Sequence, residues 1–163
     1  MTMTTIQYLF DFFNEEEDMQ LKIKKLHPAA KLPTYATPGA ACFDLHAIEQ
    51  CCCVFPGLPK EIGTGLAFEV PEGYVMLVFS RSGHGFKHDT RLANCVGVID
   101  SDYRGEVRVK LTRDPGRTES IGVKAGDRIA QAMLVQIPQV ELIETNDLSK
   151  TRRGTGGYGS TGR

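Results

Sequence analysis

The feature that most constrains the fold is a hydrophobic period of two, interrupted every few residues by Pro or Gly. Met19, Leu21 and Ile23 alternate with Gln20, Lys22 and Lys24, the pattern of a strand with one face in water. Similar short segments recur at 42–48, 61–70, 74–80, 95–99, 106–112, 128–137 and 140–144. Stops such as Pro56 with Gly57, Pro71 with Gly73, Pro115 with Gly116, and Gly126 with Asp127 separate them. No stretch after residue 18 sustains a helical period. Many short strands joined by Gly/Pro turns predict an all-β sandwich, jelly roll or barrel.

The two ends are built differently. In residues 1–18, Ile6, Leu9, Phe10 and Phe13 share one face of a possible helix ahead of an acidic cluster of Glu15, Glu16, Glu17 and Asp18. We expect an accessory extension, or vector or upstream-start sequence, before a β domain over 19–149. Residues 150–163 hold Gly154, Gly156, Gly157, Gly159 and Gly162 and no aliphatic residue, which predicts a mobile glycine-rich arm.

Charge and cysteine usage narrow the function classes. The net charge is −1, and the cations Lys150, Arg152, Arg153 and Arg163 lie in the arm without an acid. The rest of the chain offers no broad basic face, so nucleic acid is not an expected partner. A short cationic tail suits a compact anionic ligand instead. No apolar run approaches the ~18 residues of a membrane span, and the N-terminus lacks a signal-peptide layout. A cytoplasmic protein without a membrane partner is expected. The 5 cysteines include three in a row, Cys51, Cys52 and Cys53, and none has zinc-finger spacing. Free thiols are the expectation.

Several segments carry candidate chemistry. Gly154, Gly156 and Gly159 match G-x-G-x-x-G, but too little chain follows for the helix a dinucleotide fingerprint needs. Closely spaced glycines still let N–H groups converge on phosphate oxygens, and Tyr158 offers one ring for stacking on a base. A frayed terminus accounts for the same composition equally well. Asp100 ends the apolar run Val96, Val98, Ile99, where a carboxylate is placed to act as a general base; a turn cap is the commoner use of such an Asp. Asp100, Asp102 and Gly105 mimic the start of a calcium loop, but Leu111 stands where its Glu is required. Arg81, Ser82 and Gly83 close an apolar strand as a modest anion-site signal. Gln131 shares strand parity with Ile129, Met133, Val135 and Ile137, so its amide requires a partner. Asp44 lies between apolar neighbours after Pro38 and Gly39.

Taken in order, the segments 35–47, 79–85, 94–106, 126–131 and 153–162 resemble the five motifs of the trimeric dUTPase family. The most specific are Asn94-x-x-Gly97-x-Ile99-Asp100-x-Asp102-Tyr103-Arg104-Gly105 and Arg153-Gly-x-Gly-Gly-Tyr158-Gly-Ser-Thr-Gly. The resemblance implies a jelly-roll, or distorted β-barrel, homotrimer with sites shared between subunits. Its implied reaction is hydrolysis of dUTP to dUMP and diphosphate with Mg²⁺, which keeps uracil out of DNA and supplies dUMP for thymidylate synthesis. Asp100 then corresponds to the residue that activates water for attack on the α-phosphorus. Arg81, Ser82, Gly83 and Gln131 match positions that hold phosphates, and Asp44 is implied as an acceptor for Mg²⁺-bound waters. Asn94, Gly97 and the backbone at Val98 and Ile99 match the uracil site, and Tyr103 lies under the deoxyribose. Arg153, Gly156, Gly157, Gly159, Ser160 and Thr161 match the closing arm, with Tyr158 stacked on the base.

Four positions depart from the family pattern. Tyr158 replaces a usual Phe, Ala40 and Cys42 stand where Ser and Gly are frequent, and His84 replaces a common Leu. We expect His84 to be surface variation. The alternative functions are a dCTP deaminase on the same fold, which requires a catalytic Glu in a differently written third motif, and a catalytically silent nucleotide-binding regulator.

Overall fold

The computed structural model describes residues 19–49, 51–116, 118–160 and 162. The expected helix within residues 1–18, and Thr161, lie outside the described residues. The alternation read from the sequence becomes antiparallel strands: β1 (Lys22–Lys25), β2 (Thr34–Tyr35), β3 (Phe43–His46), β4 (Cys51–Val54), β5 (Lys60–Gly63), β6 (Leu66–Glu69), β7 (Tyr74–Phe79), β8 (Thr90–Leu92), β9 (Val96–Ile99), β10 (Arg108–Arg113), β11 (Ile121–Lys124) and β12 (Arg128–Gln136). They form a five-stranded sheet in the order β2-β3-β12-β7-β9, a three-stranded sheet β5-β10-β8, and the pairs β1-β6 and β11-β4.

All the sheets close on one apolar core, which gives the jelly-roll architecture. Leu45, Ile62, Leu66, Phe68, Met76, Leu92, Leu111 and Ile129 are its largest fully buried side chains. Phe43 from the five-stranded sheet stacks on Phe68 from β6 with ring centroids 6.4 Å apart. In β10 the inward positions Val109, Leu111 and Arg113 alternate with outward ones. Buried Arg113 has its charge met by carbonyl oxygens: Nε donates to His88 at 2.8 Å, and Nη1 donates to Glu119.

Two expectations about elements are corrected. Residues 82–88 form a short helix, α1 (Ser82–His88), where strands and turns alone were expected. Two turns are too short for a hydrophobic period to register, and α1 has no fully buried residue. It ends at Asp89, whose φ of 46° is left-handed, with Lys87 and His88 in the last turn beside the negative helix end. Conversely, 140–144 is not a strand. Val140, Leu142 and Ile143 are exposed, because alternation licenses a strand only where an edge is available to pair with it. Among the described residues no helix is long and apolar enough to cross a membrane.

Candidate active site

The exit of β7 gathers parts of four of the motif segments. Phe79 lies opposite Gln131 on β12 and opposite Val96 on β9, while Gln131 lies opposite Asp44 on β3. Ser80, the next residue, links the pieces: its Oγ accepts from the Leu92 N–H at 2.9 Å, and its carbonyl accepts from Gln131 Nε2 at 3.3 Å. Antiparallel registration alone thus brings the start of the Arg81 loop, Gln131 and Asp44 to one end of the five-stranded sheet.

Gln131 is not in the core row that strand parity assigned to it. A bulge between Arg128 and Ala130 shifts the register, so Ala130 and Ala132 face the core and Gln131 faces outward with Met133 and Val135. Sequence parity counts every residue once, and a bulge inserts one that the count misses. Its amide is half-buried, and the partner that the sequence required of it is the Ser80 carbonyl.

Asp44 is buried with only 11% of its side chain exposed, and a guanidinium approaches each of its oxygens. Arg81 Nε is 3.0 Å from Oδ1, and Arg128 Nη1 is 3.2 Å from Oδ2. The carboxylate therefore holds two arginines at the mouth of the Arg81 loop. Among the described residues no three acidic, His or Cys side chains group as a metal cage. A carboxylate oxygen has more than one lone pair, so Asp44 retains capacity for a water. This donor set fits a hydrated Mg²⁺ carried on phosphate oxygens, with Asp44 beyond its waters.

His84 is not surface variation. It is half-buried on α1, its Nε2 lies 3.0 Å from the Arg128 carbonyl, and its ring meets His88 edge-on. Burial pushes its imidazole below the ordinary 6.5; the hydrogen bond to Arg128 opposes this, and the Arg81 charge reinforces it. A cavity of about 640 Å³ runs beside α1, bordered by Arg81, Gly83, His84, Lys87, Arg113 and Arg128 among others. Ser82 is exposed at the start of the helix.

A second cavity, about 430 Å³, opens between β9 and β10. Asn94, Gly97, Val98 and Ile99 converge on it, against Leu92, Val107 and Val109. The turn into β9 is tight: Cys95 has φ 65°, and the Asn94 carbonyl accepts from Val96 N–H at 2.7 Å. Gly97 is closely covered by its neighbour: a Cβ there would lie 3.1 Å from Val78 Cβ, so Val78 would have to give way. The β9 segment and its apolar neighbours thereby border a cavity of ordinary ligand size.

The expectation that Asp100 ends a buried strand is corrected. β9 is the edge of its sheet and pairs only with β7 among the described residues, so Val98 is 61% exposed and Asp100 is exposed too. Asp100 and Tyr103 flank the second cavity without lining it. Tyr103 donates from its hydroxyl to the Glu106 carbonyl at 3.0 Å, and its ring fills the space beside Gly105, where a Cβ would come within 2.4 Å of the hydroxyl oxygen. Only Gly fits under that ring.

Glu106 secures this turn to the barrel. Its Oε1 accepts from Gly65 N–H at 2.8 Å and its Oε2 from Arg108 Nη1 at 2.8 Å. Burial works to raise its carboxyl, but the hydrogen bonds from Gly65 and Arg108 and the arginine charge outweigh it, holding the group below the ordinary 4.5. The folded state therefore binds this proton less readily than the unfolded chain. The stabilisation is fully present above about pH 4.5 and is lost as pH falls through the lower folded value. In thermal melts, a Glu106→Gln variant is expected to be less stable than wild type at pH 7. The gap should narrow on acidification below pH 4.5; a gap independent of pH would contradict the ionic account.

The arm stands apart from both cavities. Arg153 Nε donates to the Gly156 carbonyl at 2.9 Å, and Ser160 N–H donates to Gly157 at 3.0 Å. Gly159 has φ +76°, and Tyr158 is fully exposed. Among the described residues, hydrogen bonds of the arm stay within the arm. Arg128, Glu106 and His84 were not singled out by sequence reasoning as site residues. Arg128 and Glu106 sit inside recognised motifs, but their partners Asp44 and Gly65 are far away in the chain.

A jelly roll with a ligand-sized cavity beside its edge strand, and with two arginines braced on a buried carboxylate, has the build of a protein that holds a phosphorylated small molecule. Residues 29–162 match the family model for dUTPase. The deoxyuridine 5'-triphosphate nucleotidohydrolase of Nautilia profundicola is 50% identical over 145 residues, covering 89% of this chain and 100% of that protein. Its namesake from Wolinella succinogenes is 42% identical over 151 residues, covering 92% and 99%. The dUTPase of Staphylococcus bacteriophage 80alpha, solved with dUPNHPP, superposes with a TM-score of 0.79 at 28% identity, covering 88% and 99%. The chain belongs to the dUTPase family.

Proposed function

We propose that the protein is a dUTP diphosphatase, hydrolysing dUTP to dUMP and diphosphate. The observation that carries this reading is the convergence of Asn94, Gly97, Val98 and Ile99, the segment of the third motif, on one cavity. Fixed N–H and C=O groups read the donor and acceptor pattern of a uracil edge, and a cytosine leaves them unpaired. Tyr103, held over Gly105 by its bond to Glu106, presents a rigid ring to the sugar and leaves no room for a 2′-hydroxyl.

The phosphate end is the Arg81 loop. Arg81, Ser82, Gly83 and Gln131 neutralise and orient the triphosphate, and Asp44 keeps Arg81 and Arg128 aimed by charge-assisted bonds. Asp44 would hold a hydrated Mg²⁺ through one of its waters, and the ion, when bound, would supply charge neutralisation for the departing diphosphate. Asp100 orients and deprotonates the attacking water, a contribution of about 10²–10⁴-fold. The arm brings Arg153 and the N–H groups of Gly156, Gly157, Gly159, Ser160 and Thr161 to the terminal phosphate, and Tyr158 to the base. Its closure excludes water.

Within one chain Asp100 and the Arg81 loop are too far apart. Val96 lies opposite Phe79 and Ile99 opposite Met76, so Asp100 is roughly 13 Å along β9 from the sheet end that carries the Arg81 loop. A site shared between subunits of a homotrimer removes the conflict, with Asp100 of one copy facing the Arg81 loop of another. The exposed apolar positions Val96 and Val98 on β9 suit burial in such an assembly.

The test follows diphosphate and ammonia release from dUTP, UTP and dCTP, with and without Mg²⁺, beside the mass in solution. Diphosphate from dUTP alone, by a trimer, is expected. Ammonia from dCTP would replace this reading with the deaminase, and binding without turnover would replace it with a silent regulator.

A further inference from the structure

His84 takes part in a network that the reading above leaves without a role. A bulge follows Arg128 at the start of β12, and two donors converge on the Arg128 carbonyl. His84 Nε2 is 3.0 Å away and Arg81 Nη1 is 3.4 Å away. On its other side Arg81 is held through Nε by Asp44, which also takes Arg128 Nη1. The Arg81 guanidinium is thus fixed between a carboxylate and a carbonyl, and His84 is the side chain that ties that carbonyl to α1. A carbonyl only accepts, so the Nε2 that faces it carries the proton. The other ring nitrogen, Nδ1, is buried and has no hydrogen-bond partner.

We propose that His84 is a positioning residue for phosphate binding, which locks α1 to the start of β12 and so sets the direction of the Arg81 guanidinium. This rests on the reading that Arg81 meets the triphosphate. The geometry also makes the lock sensitive to protonation. A second proton, on Nδ1, would enter a buried place without an acceptor and set a third cation beside Arg81 and Arg128. Of the other groups facing the ring, His88 on α1 adds to the penalty when charged, and Asp127 before β12 is the acid that offsets it. The neutral ring is the form that fits.

Three variants test this with dUTP and Mg²⁺, using the full chain. At pH 8, His84→Leu is expected to lower kcat/KM about fivefold to tenfold, mainly through KM, as for one lost hydrogen bond that holds a binding group. His84→Gln, which can donate to the Arg128 carbonyl but does not titrate, should restore kcat/KM to within about twofold. Between pH 7 and 5 the wild type should lose kcat/KM more steeply than His84→Gln. The comparison isolates His84, because His46, opposite Arg128 on β3, is present in both. A His84→Leu enzyme with wild-type kcat/KM overturns the proposal. So does a His84→Gln enzyme as impaired as the Leu variant, or one whose pH profile superimposes on the wild type. If His84→Leu does not fold, the Gln profile decides alone. Arg81→Ala separates the two levels: unchanged turnover removes the phosphate role of Arg81 and this proposal with it. Lost turnover beside a normal His84→Leu enzyme removes the role of His84 only.

Discussion

Replacing Asp100 with Asn is expected to leave binding of a non-hydrolysable dUTP analogue intact while lowering turnover by at least about 10²-fold. That is the lower end of what a positioned general base contributes. The substitution keeps the shape of the side chain and its carbonyl oxygen but removes the group that accepts a proton from water. Asp100 is exposed at the end of an edge strand and makes no contact with the core, so the fold is not expected to suffer. Calorimetric titration with the analogue and single-turnover assays measure the two effects separately. An Asn variant that still turns over at the wild-type rate would take Asp100 out of the chemistry.

Removing residues 150–163 is the second large effect. Tyr158 is fully exposed, and the arm's hydrogen bonds are local, so the arm contributes nothing to the barrel core. Deletion should move Tm by less than about 2 °C, the equivalent of a neutral surface change in a chain of this size. Turnover should fall by roughly 10²-fold or more, because the triphosphate loses the groups that complete its positioning. A truncated protein with normal kcat/KM would show that the site closes without the arm. A collapse of thermal stability would show that the arm is part of the fold.

These predictions draw on what was legible in the sequence to different degrees. The period of two located β3, β7, β9, β10 and β12 within a residue or two, because burial on one face writes itself into alternation, but it merged β5 with β6 and passed over β2, β4, β8 and β11. Where it failed, a second partner was needed. Segment 140–144 alternates well yet pairs with no edge among the described residues, and Thr34–Tyr35 is too short to alternate at all. The parity of Gln131 was misread for a similar reason, since the bulge at Arg128 is a property of the paired strands rather than of either one. His84 was misplaced as well, because its significance comes from a carbonyl on a strand more than forty residues away.

The sequence by itself determined an all-β chain and a glycine-rich cationic tail outside the core, which follow from side-chain alternation and from the backbone freedom of glycine. A deoxyuridine nucleotide was implied only by the resemblance of its motifs to those of the dUTPase family. Only the tertiary structure decided that Asp44 braces Arg81 and Arg128, that Glu106 pins the Tyr103 turn through Gly65, and that Asp100 lies far from the Arg81 loop within one chain. Each of these depends on which distant strands pair and in what register. Pairing is set by the burial of whole faces together, and no local stretch of sequence contains that information.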